Sequence, residues 1–586
     1  MRDHLKSPAD RPRSDHLHDR AVEGFVGLVP LAWVAVSAVV LRGIAWFCFD
    51  PVTFDSAIYF EIASLIRGGR WAEALAYDYP PLYPLLIAGL QSVVGRADTA
   101  GLLIAAVADL AILVPIVAIA RLAAGEDAAW GAAFLWVVHL SAIRFGVQAL
   151  SDAPTALCVA AALYAGLRAL DRHRLRWAWG AGMASGLAFL FRPEGIEPAI
   201  ALAVFYAVCG HRAVVGHSDA HDNPSGTRGS QLAARSASPD LPRSSRSGRA
   251  IRRVGWVLAP LAGWALVAGP YVAYISVEAG SLTLSKKKSA ASFVRSVVPR
   301  TESRELSAES QERSVEPRAE SGAARHEPRA AKGEARDERT DSRAAGQSSI
   351  RRVVAGIDAF QRPLVNGLNP LLILMGAVGL GGILRRRAER WNRSYGLLSG
   401  LFILHLATLV GLAATAGPTY LGRHHFLLMV VYTLPAGGAG LAWTLAWLTG
   451  HVRGRRWVPS AMLALIVVAT ALALVLRGPD QGRSLREAAV WIRSQMAGTP
   501  IIVTRLAKLT YHANAERVDI AGTYDEILRR ARDRSAHFVA LYPDLIRQTS
   551  PDFLDRLPSP DLELVKVFPE PSSTAPDQRL EIYRIR

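Results

Sequence analysis

The chain has 586 residues, 51% of them hydrophobic, and a formal net charge of +17. Its mean hydropathy of +0.19 averages two populations: apolar blocks of about 17–24 residues, the length that crosses a bilayer, and charged blocks rich in Ser, Pro and Gly. That pattern excludes a soluble globule. The surplus Arg sits in short links beside apolar segments, where membrane topology accounts for it, so no nucleic-acid partner is expected. Cys48, Cys158 and Cys209 lack CxxC spacing, which points away from a zinc or disulfide framework.

In chain order, residues 1–23 read as a polar cytoplasmic tail, followed by a first span over 24–47. Residues 48–98 form a long connection. It holds a short amphipathic helix carrying Asp55, a second helix near Arg70–Ala76, and the run Tyr79-Pro80-Pro81-Leu82-Tyr83-Pro84. The apolar stretch 82–95 is short for a span, so it reads as an in-plane helix. With that choice, spans follow at about 99–120, 128–143, 153–170, 177–191, 195–209, 254–277, 368–384, 395–414, 426–449 and 457–476. The basic links at Arg121, 171–176, 210–253, 385–390 and 451–456 then all fall on the side of the N-terminus, as the positive-inside tendency requires. The link 210–253 alone carries eight Arg against three Asp. The expected fold is therefore mainly α: a polytopic membrane protein of about eleven transmembrane helices, N-terminus inside and C-terminus outside, in a cell (inner) membrane.

Two stretches, 211–250 and 285–350, hold too little apolar surface to offset chain entropy and read as disordered inserts of the membrane domain 24–476. The tail 477–586 changes character. Ser484–Met496 has a helical apolar face, and Pro500–Val503, Ala536–Leu541, Leu562–Phe568 and Leu580–Ile585 read as strands. A small extracytoplasmic α/β domain is expected there.

This topology puts the candidate chemistry on one side. Asp55 and Tyr59 share a helix face, being four residues apart. Asp152 starts the fourth span, Arg192 and Glu194 stand at the break between the fifth and sixth, Lys286–Lys288 follow the seventh, and Arg423, His424 and His425 precede the tenth. Carboxylates and cations meeting at a membrane surface suit acid/base chemistry on a substrate with an anionic leaving group. Each also has a structural alternative: Asp55 and Asp152 as helix caps, Arg192-Pro193-Glu194 as a helix break, the lysines as a solvated run, and the His pair as interfacial residues.

The blocks Phe54-Asp55-(x3)-Tyr59-(x3)-Ala63-(x4)-Gly68 and Tyr79–Leu85 resemble the opening of the GT-C membrane glycosyltransferases. The resemblance is to the branch containing glycosyltransferase family 39, the lipid A aminoarabinose transferases and the lipopolysaccharide galacturonosyltransferases. It continues at Leu150–Pro154, at Gly186–Gly195 and at Gly422–Phe426. It implies a polyprenyl-phosphate-linked sugar donor and transfer to an envelope acceptor (lipid, glycan or protein) on the extracytoplasmic side. It also implies Asp55 as the catalytic carboxylate, Asp152 as a second acidic residue of the site, and Tyr59, Arg192, Glu194, Arg423 and His424 as substrate-binding residues. A divalent metal ion is a possible cofactor in such a site. Ser56 stands where the acidic neighbour of the catalytic Asp is usual, and the insert 285–350 occupies a loop that often shapes the acceptor site. The alternative function is a multi-span lipid or solute transporter or flippase, for which Asp109 is the main deep carboxylate.

Overall fold

The computed structural model describes residues 31–215, 246–286, 364–365, 367–385, 393–416, 423–451, 457–477, 483–520, 522–547, 550–568 and 579–586. The expectations for the tail 1–23 and for the inserts over 216–245 and 287–350 lie outside these residues. At their edges the inserts are shorter than read: helix continues to Val215 and resumes at Arg246.

Eight helices fill the first part: α1 Leu31–Cys48, α2 Phe54–Arg67, α3 Trp71–Ala76, α4 Leu82–Val94, α5 Ala97–Ala111, α6 Leu113–Ala124, α7 Glu126–Val137 and α8 Leu140–Gly146. Then come α9 Asp152–Arg172, α10 Leu175–Phe191, a 3-10 turn Pro193–Ile196, α11 Glu197–Val215 and α12 Arg246–Ala279. After the second insert follow α13 Pro370–Arg385, α14 Arg393–Ala416, a 3-10 turn Arg423–Phe426, α15 Leu427–His451 and α16 Val458–Arg477. Over the described residues, each of the eleven segments read as a span coincides with one of these helices or with a helix pair; residues 24–30 of the first lie outside them. Among the described residues six helical runs are long and apolar enough to cross a membrane, one of them the continuous α5–α6 run Ala97–Ala124, and the bent pair α7–α8 makes a seventh. Helix α4 has 13 residues, about 20 Å at 1.5 Å per residue, which is short of a bilayer core.

Small residues set how closely the helices approach. A Cβ at Gly131 of α7 would collide with the Gly438 carbonyl of α15, and one at Gly438 would collide with the Ala128 carbonyl. Without a hydrophobic drive between helices in lipid, such backbone contact is what holds two spans together.

The chain bends by 64° between α7 and α8. The last carbonyls of a helix have no partner within it, and here the Val137 carbonyl accepts from Arg42 Nη1 of α1 at 2.7 Å. The same guanidinium grips Asp109 of α5 through Nε at 2.8 Å and Nη2 at 3.2 Å. Trp136 Nε1 donates to the Asp109 carboxylate at 3.1 Å. Asp109, the deep carboxylate on which a transport reading leans, is thus committed to a structural ion pair.

Residues 483–586 carry α17 Arg483–Ser494, β1 Ile501–Val503, α18 Ala507–Ala513, β2 Glu516–Val518, α19 Tyr524–Asp533, β3 Phe538–Leu541, α20 Pro543–Arg547, α21 Pro551–Asp555, β4 Leu562–Phe568 and β5 Leu580–Ile585. The strand order is β2-β1-β3-β5-β4. Strand β1 is parallel to β2 and β3, while β5 is antiparallel to β3 and β4. Val503, Val539 and Leu541 pack with Ile527 and Phe553 on one face; Ile502, Phe538 and Ala540 pack with Ile492 and Leu509 on the other. Alternate residues point to opposite faces, so a sheet covered on both sides needs strands apolar throughout. That is why β3 reads clearly in the sequence. Strand β2 does not: it is three residues long, carries Glu516 and Arg517, and forms the sheet edge.

Candidate active site

Helix α2 opens with a capping box. Thr53 Oγ1 accepts from the Ser56 amide at 3.2 Å, and Ser56 Oγ accepts from the Thr53 amide at 3.0 Å. Both end donors are satisfied by this pair, so Asp55 is not the cap. It stands in the first turn, where the helix dipole favours a negative charge. Tyr79 Oη donates to Asp55 Oδ1 at 2.8 Å. Tyr59, one turn on, is buried and hydrogen-bonds through its hydroxyl to Ser151 Oγ at 2.9 Å. Its ring meets Tyr79 and Tyr83 edge-on, with centroids 5.2 and 4.9 Å apart. Burial first, then the charge of Asp55, pushes both the Tyr59 and Tyr79 phenols well above their ordinary range. Both therefore stay protonated at neutral pH.

Tyr59 thereby joins the Asp55 helix to the turn that presents Asp152. Backbone bonds make the same connection: the Ala149 amide donates to the Pro51 carbonyl at 3.0 Å, and Gln148 Nε2 to the Asp50 carbonyl at 3.0 Å. Ser151 is the N-cap of α9, without a side-chain cap bond, and Asp152 is its first residue. The Asp152 carboxylate faces Arg192, with Nη1–Oδ1 at 2.9 Å and the two side chains 3% and 14% exposed. Arg192 Nε lies 3.7 Å from Glu194 Oε2.

The arginine is held by the break in the chain. Pro193 disfavours helical backbone at the residue before it, and Arg192 is extended at φ −154°, ψ 138°. The 3-10 turn then folds back so tightly that a Cβ at Gly195 would strike the Ala188 backbone. What reads in the sequence as a helix break is also the mount for the arginine.

The second 3-10 turn brings Arg423, His424 and His425 to this end of the bundle. The side chains of Arg423 and His424 lie outside the described residues. His425 is buried and, with Asp152, Arg192, Glu194 and His405, lines a cavity of about 10 Å³, room for about one water. A larger apolar groove of about 360 Å³ runs between α13, α14 and α15, past Leu372, Phe402 and Tyr432. His405 of the cavity and Tyr432 of the groove touch edge-on, with ring centroids 6.1 Å apart.

Among the described residues no three His, Cys, Asp or Glu side chains converge to hold a metal ion, and the Asp152 carboxylate is taken up by Arg192. These residues do not form a cation site, and no step of the mechanism runs through one. Lys286 corrects the reading of a solvated lysine run. Its Nζ donates to the Leu75 carbonyl at 2.7 Å and pairs with Glu278, while Lys287 and Lys288 lie outside the described residues.

The C-terminal sheet unit grips the opposite side of α2. Arg517 clasps Glu61 through Nε and Nη2 at 2.9 and 2.7 Å. The Phe60 and Tyr511 rings lie 5.1 Å apart. Asp50, just before α2, pairs with Lys508 Nζ at 2.8 Å and Arg486 Nη1 at 3.2 Å. Burial works against the Asp50 charge, but His512, Lys508 and the Val52 amide outweigh it and hold the carboxyl well below the usual carboxylate range.

The candidate residues thus fall into two linked groups: Asp55 with Tyr59 and Tyr79, and Asp152 with Arg192 and Glu194. Sequence reasoning missed Ser151, Glu197 and His405, and gave Tyr79 no role of its own. The signal for His405 was present, as an ionisable residue inside an apolar span marks a site by default.

Residues 78–221 match the dolichyl-phosphate-mannose-protein mannosyltransferase family. The chain is similar in fold to ArnT from Cupriavidus metallidurans bound to undecaprenyl phosphate, at a TM-score of 0.51 and 14% sequence identity, covering 94% of this chain and 97% of that one. The apo state of the same protein gives 0.51 and 13%, over 96% and 98%. The apo oligosaccharyltransferase of Archaeoglobus fulgidus gives 0.49 and 12%, over 94% and 75%. No curated protein matches the sequence. Over residues 78–221 the sequence is similar to the dolichyl-phosphate-mannose-protein mannosyltransferases, and as a whole the chain has a fold similar to that of ArnT from Cupriavidus metallidurans.

Proposed function

We propose that the protein transfers a sugar from a polyprenyl-phosphate donor to an envelope acceptor on the extracytoplasmic side, with inversion at the anomeric carbon and Asp55 as the catalytic carboxylate. The observation that carries this reading is the meeting of two unlike charge environments. Asp55 is an acceptor oriented by Tyr79, and Arg192 is a cation held by Asp152 at the mouth of a cavity.

The acceptor hydroxyl gives its proton to the Asp55 carboxylate as its oxygen forms the new bond to the anomeric carbon. The bond from that carbon to the phosphate oxygen breaks on the opposite face, and its electron pair leaves with the polyprenyl phosphate. The Tyr79 hydroxyl fixes one carboxylate oxygen, which leaves the other to meet the acceptor within hydrogen-bond reach. The charge that grows on the phosphate falls to Arg192, which Asp152 and Glu194 hold in place; Arg423 and His424 are the further substrate-binding residues of this reading. A preorganised cation in a dry site does this far better than water does. The apolar groove beyond Tyr432 suits an isoprenoid chain. ArnT from Cupriavidus metallidurans, which shares the fold, was crystallised with undecaprenyl phosphate.

The test is transfer of radiolabelled sugar from polyprenyl-phosphate donors by the purified protein. Asp55→Asn should lose about 100-fold or more, the usual worth of a positioned base. Wild-type rates in that variant would end the role of Asp55.

A further inference from the structure

Glu197 opens α11 directly after the turn that follows Arg192. Its Oε2 lies 2.6 Å from Nδ1 of His405, in the middle of α14. The other ring nitrogen, Nε2, lies 2.7 Å from the carbonyl of His425 in the second 3-10 turn. A carbonyl only accepts, so Nε2 carries a proton and donates it. The Glu197–Nδ1 contact then holds one further proton, and the pair is neutral overall whichever partner carries it. The two side chains are 7% and 1% exposed, and they are 208 residues apart in sequence. Glu197 Oε1 is buried without a hydrogen-bond partner.

Burying such a pair in a helical bundle costs desolvation that apolar packing would avoid. The pair does what apolar packing does not: it fixes direction. The His405 imidazole is a rigid strut with one end on the Arg192 break and the other on the backbone of the turn that carries Arg423 and His424. His405 and His425 themselves line the cavity beside Arg192.

We infer that Glu197 and His405 form a positioning dyad that sets the turn Arg423–Phe426 against the Arg192 break, and so sets the phosphate-binding end of the site. The inference rests on the transferase reading above. The dyad touches neither sugar nor acceptor; it acts through the groups it holds.

The test uses full-length protein in nanodiscs, with undecaprenyl monophosphate as the binding probe, alongside KM and kcat for sugar transfer. His405→Ala and Glu197→Ala should each weaken binding of the probe about tenfold, which is about 1.4 kcal/mol, and raise the donor KM by a like factor. The kcat at saturating donor should fall by less than about threefold, because chemistry at Asp55 is not touched. Glu197→Gln, whose amide N–H still reaches Nδ1, should keep most of the affinity. Added imidazole should restore part of it to His405→Ala.

Unchanged binding and KM in either alanine variant would overturn the inference. So would a loss of kcat at constant KM, or unfolding of both alanine variants beside an unaltered Glu197→Gln, which would mark the pair as structural only. These three results leave the transferase reading standing. Failure of the wild-type protein to bind the lipid phosphate would end that reading and this inference together.

Discussion

Asp152 and Arg192 show how one contact serves both stability and function. The pair is almost wholly buried, so removing one member strands the other. Asp152→Asn should lower stability by about 3 kcal/mol, the usual cost of leaving a buried charge unpaired, seen as a lower melting temperature in detergent. The double change Asp152→Leu with Arg192→Met should recover much of that stability yet leave transfer abolished. A double variant that regains activity would reduce Arg192 to a structural residue. At Tyr79 the expectation is milder. Tyr79→Phe keeps the ring stacking against Tyr59 but loses the bond to Asp55, so turnover should fall while the melting temperature stays nearly constant. The sequence showed Asp55 and Asp152 as candidates but not their partners. Capping and catalysis ask for the same residue types at a helix start, and only the Thr53–Ser56 box separates the two roles.

The membrane helices were legible because apolar length is a strong signal, and the charge of the links is what favoured a count of eleven in the sequence. Bends were less so. Arg192-Pro193-Glu194 announced its break through Pro, whereas the 64° turn between α7 and α8 has no proline at the junction. It is held locally by His139, which caps α8 through Nδ1, and from a distance by Arg42, which satisfies the Val137 carbonyl and pairs with Asp109. Arg42→Met should therefore destabilise the fold by several kcal/mol, because it orphans a carboxylate and a carbonyl together. Arg42→Met with Asp109→Leu should recover part of the loss. Thermal unfolding of the wild type, Arg42→Met, Asp109→Leu and the double variant measures it, and additive losses in the double variant would break the proposed link.

At the scale of the whole molecule, the sheet unit and the membrane helices meet through charges that no local pattern reveals. Asp50 and Lys508 are far apart in the chain, and strand β2, which supplies Arg517, is too short and polar to be read as a strand. The contact has a definite pH dependence. The Asp50 carboxyl is held below its ordinary value in the folded state, so its contribution is fully present above the unfolded value of about 4 and fades as pH falls below it. Between about pH 5 and 8 the Asp50 contribution should not change with pH. Below that, the melting temperature of the wild type should drop faster than that of Asp50→Asn, and parallel acid limbs would refute the assignment.

Helix α2 has two masters. Asp55 and Tyr59 look toward the chemistry, while Phe60 and Glu61 are clasped by Tyr511 and Arg517 of the tail. Within two turns of one rigid rod there is no hinge to absorb a mismatch. Drift at Arg517 or Tyr511 should therefore be answered by compensating change at Glu61 or Phe60, and a tail grafted from a distant homologue should cripple turnover until those two positions are grafted with it.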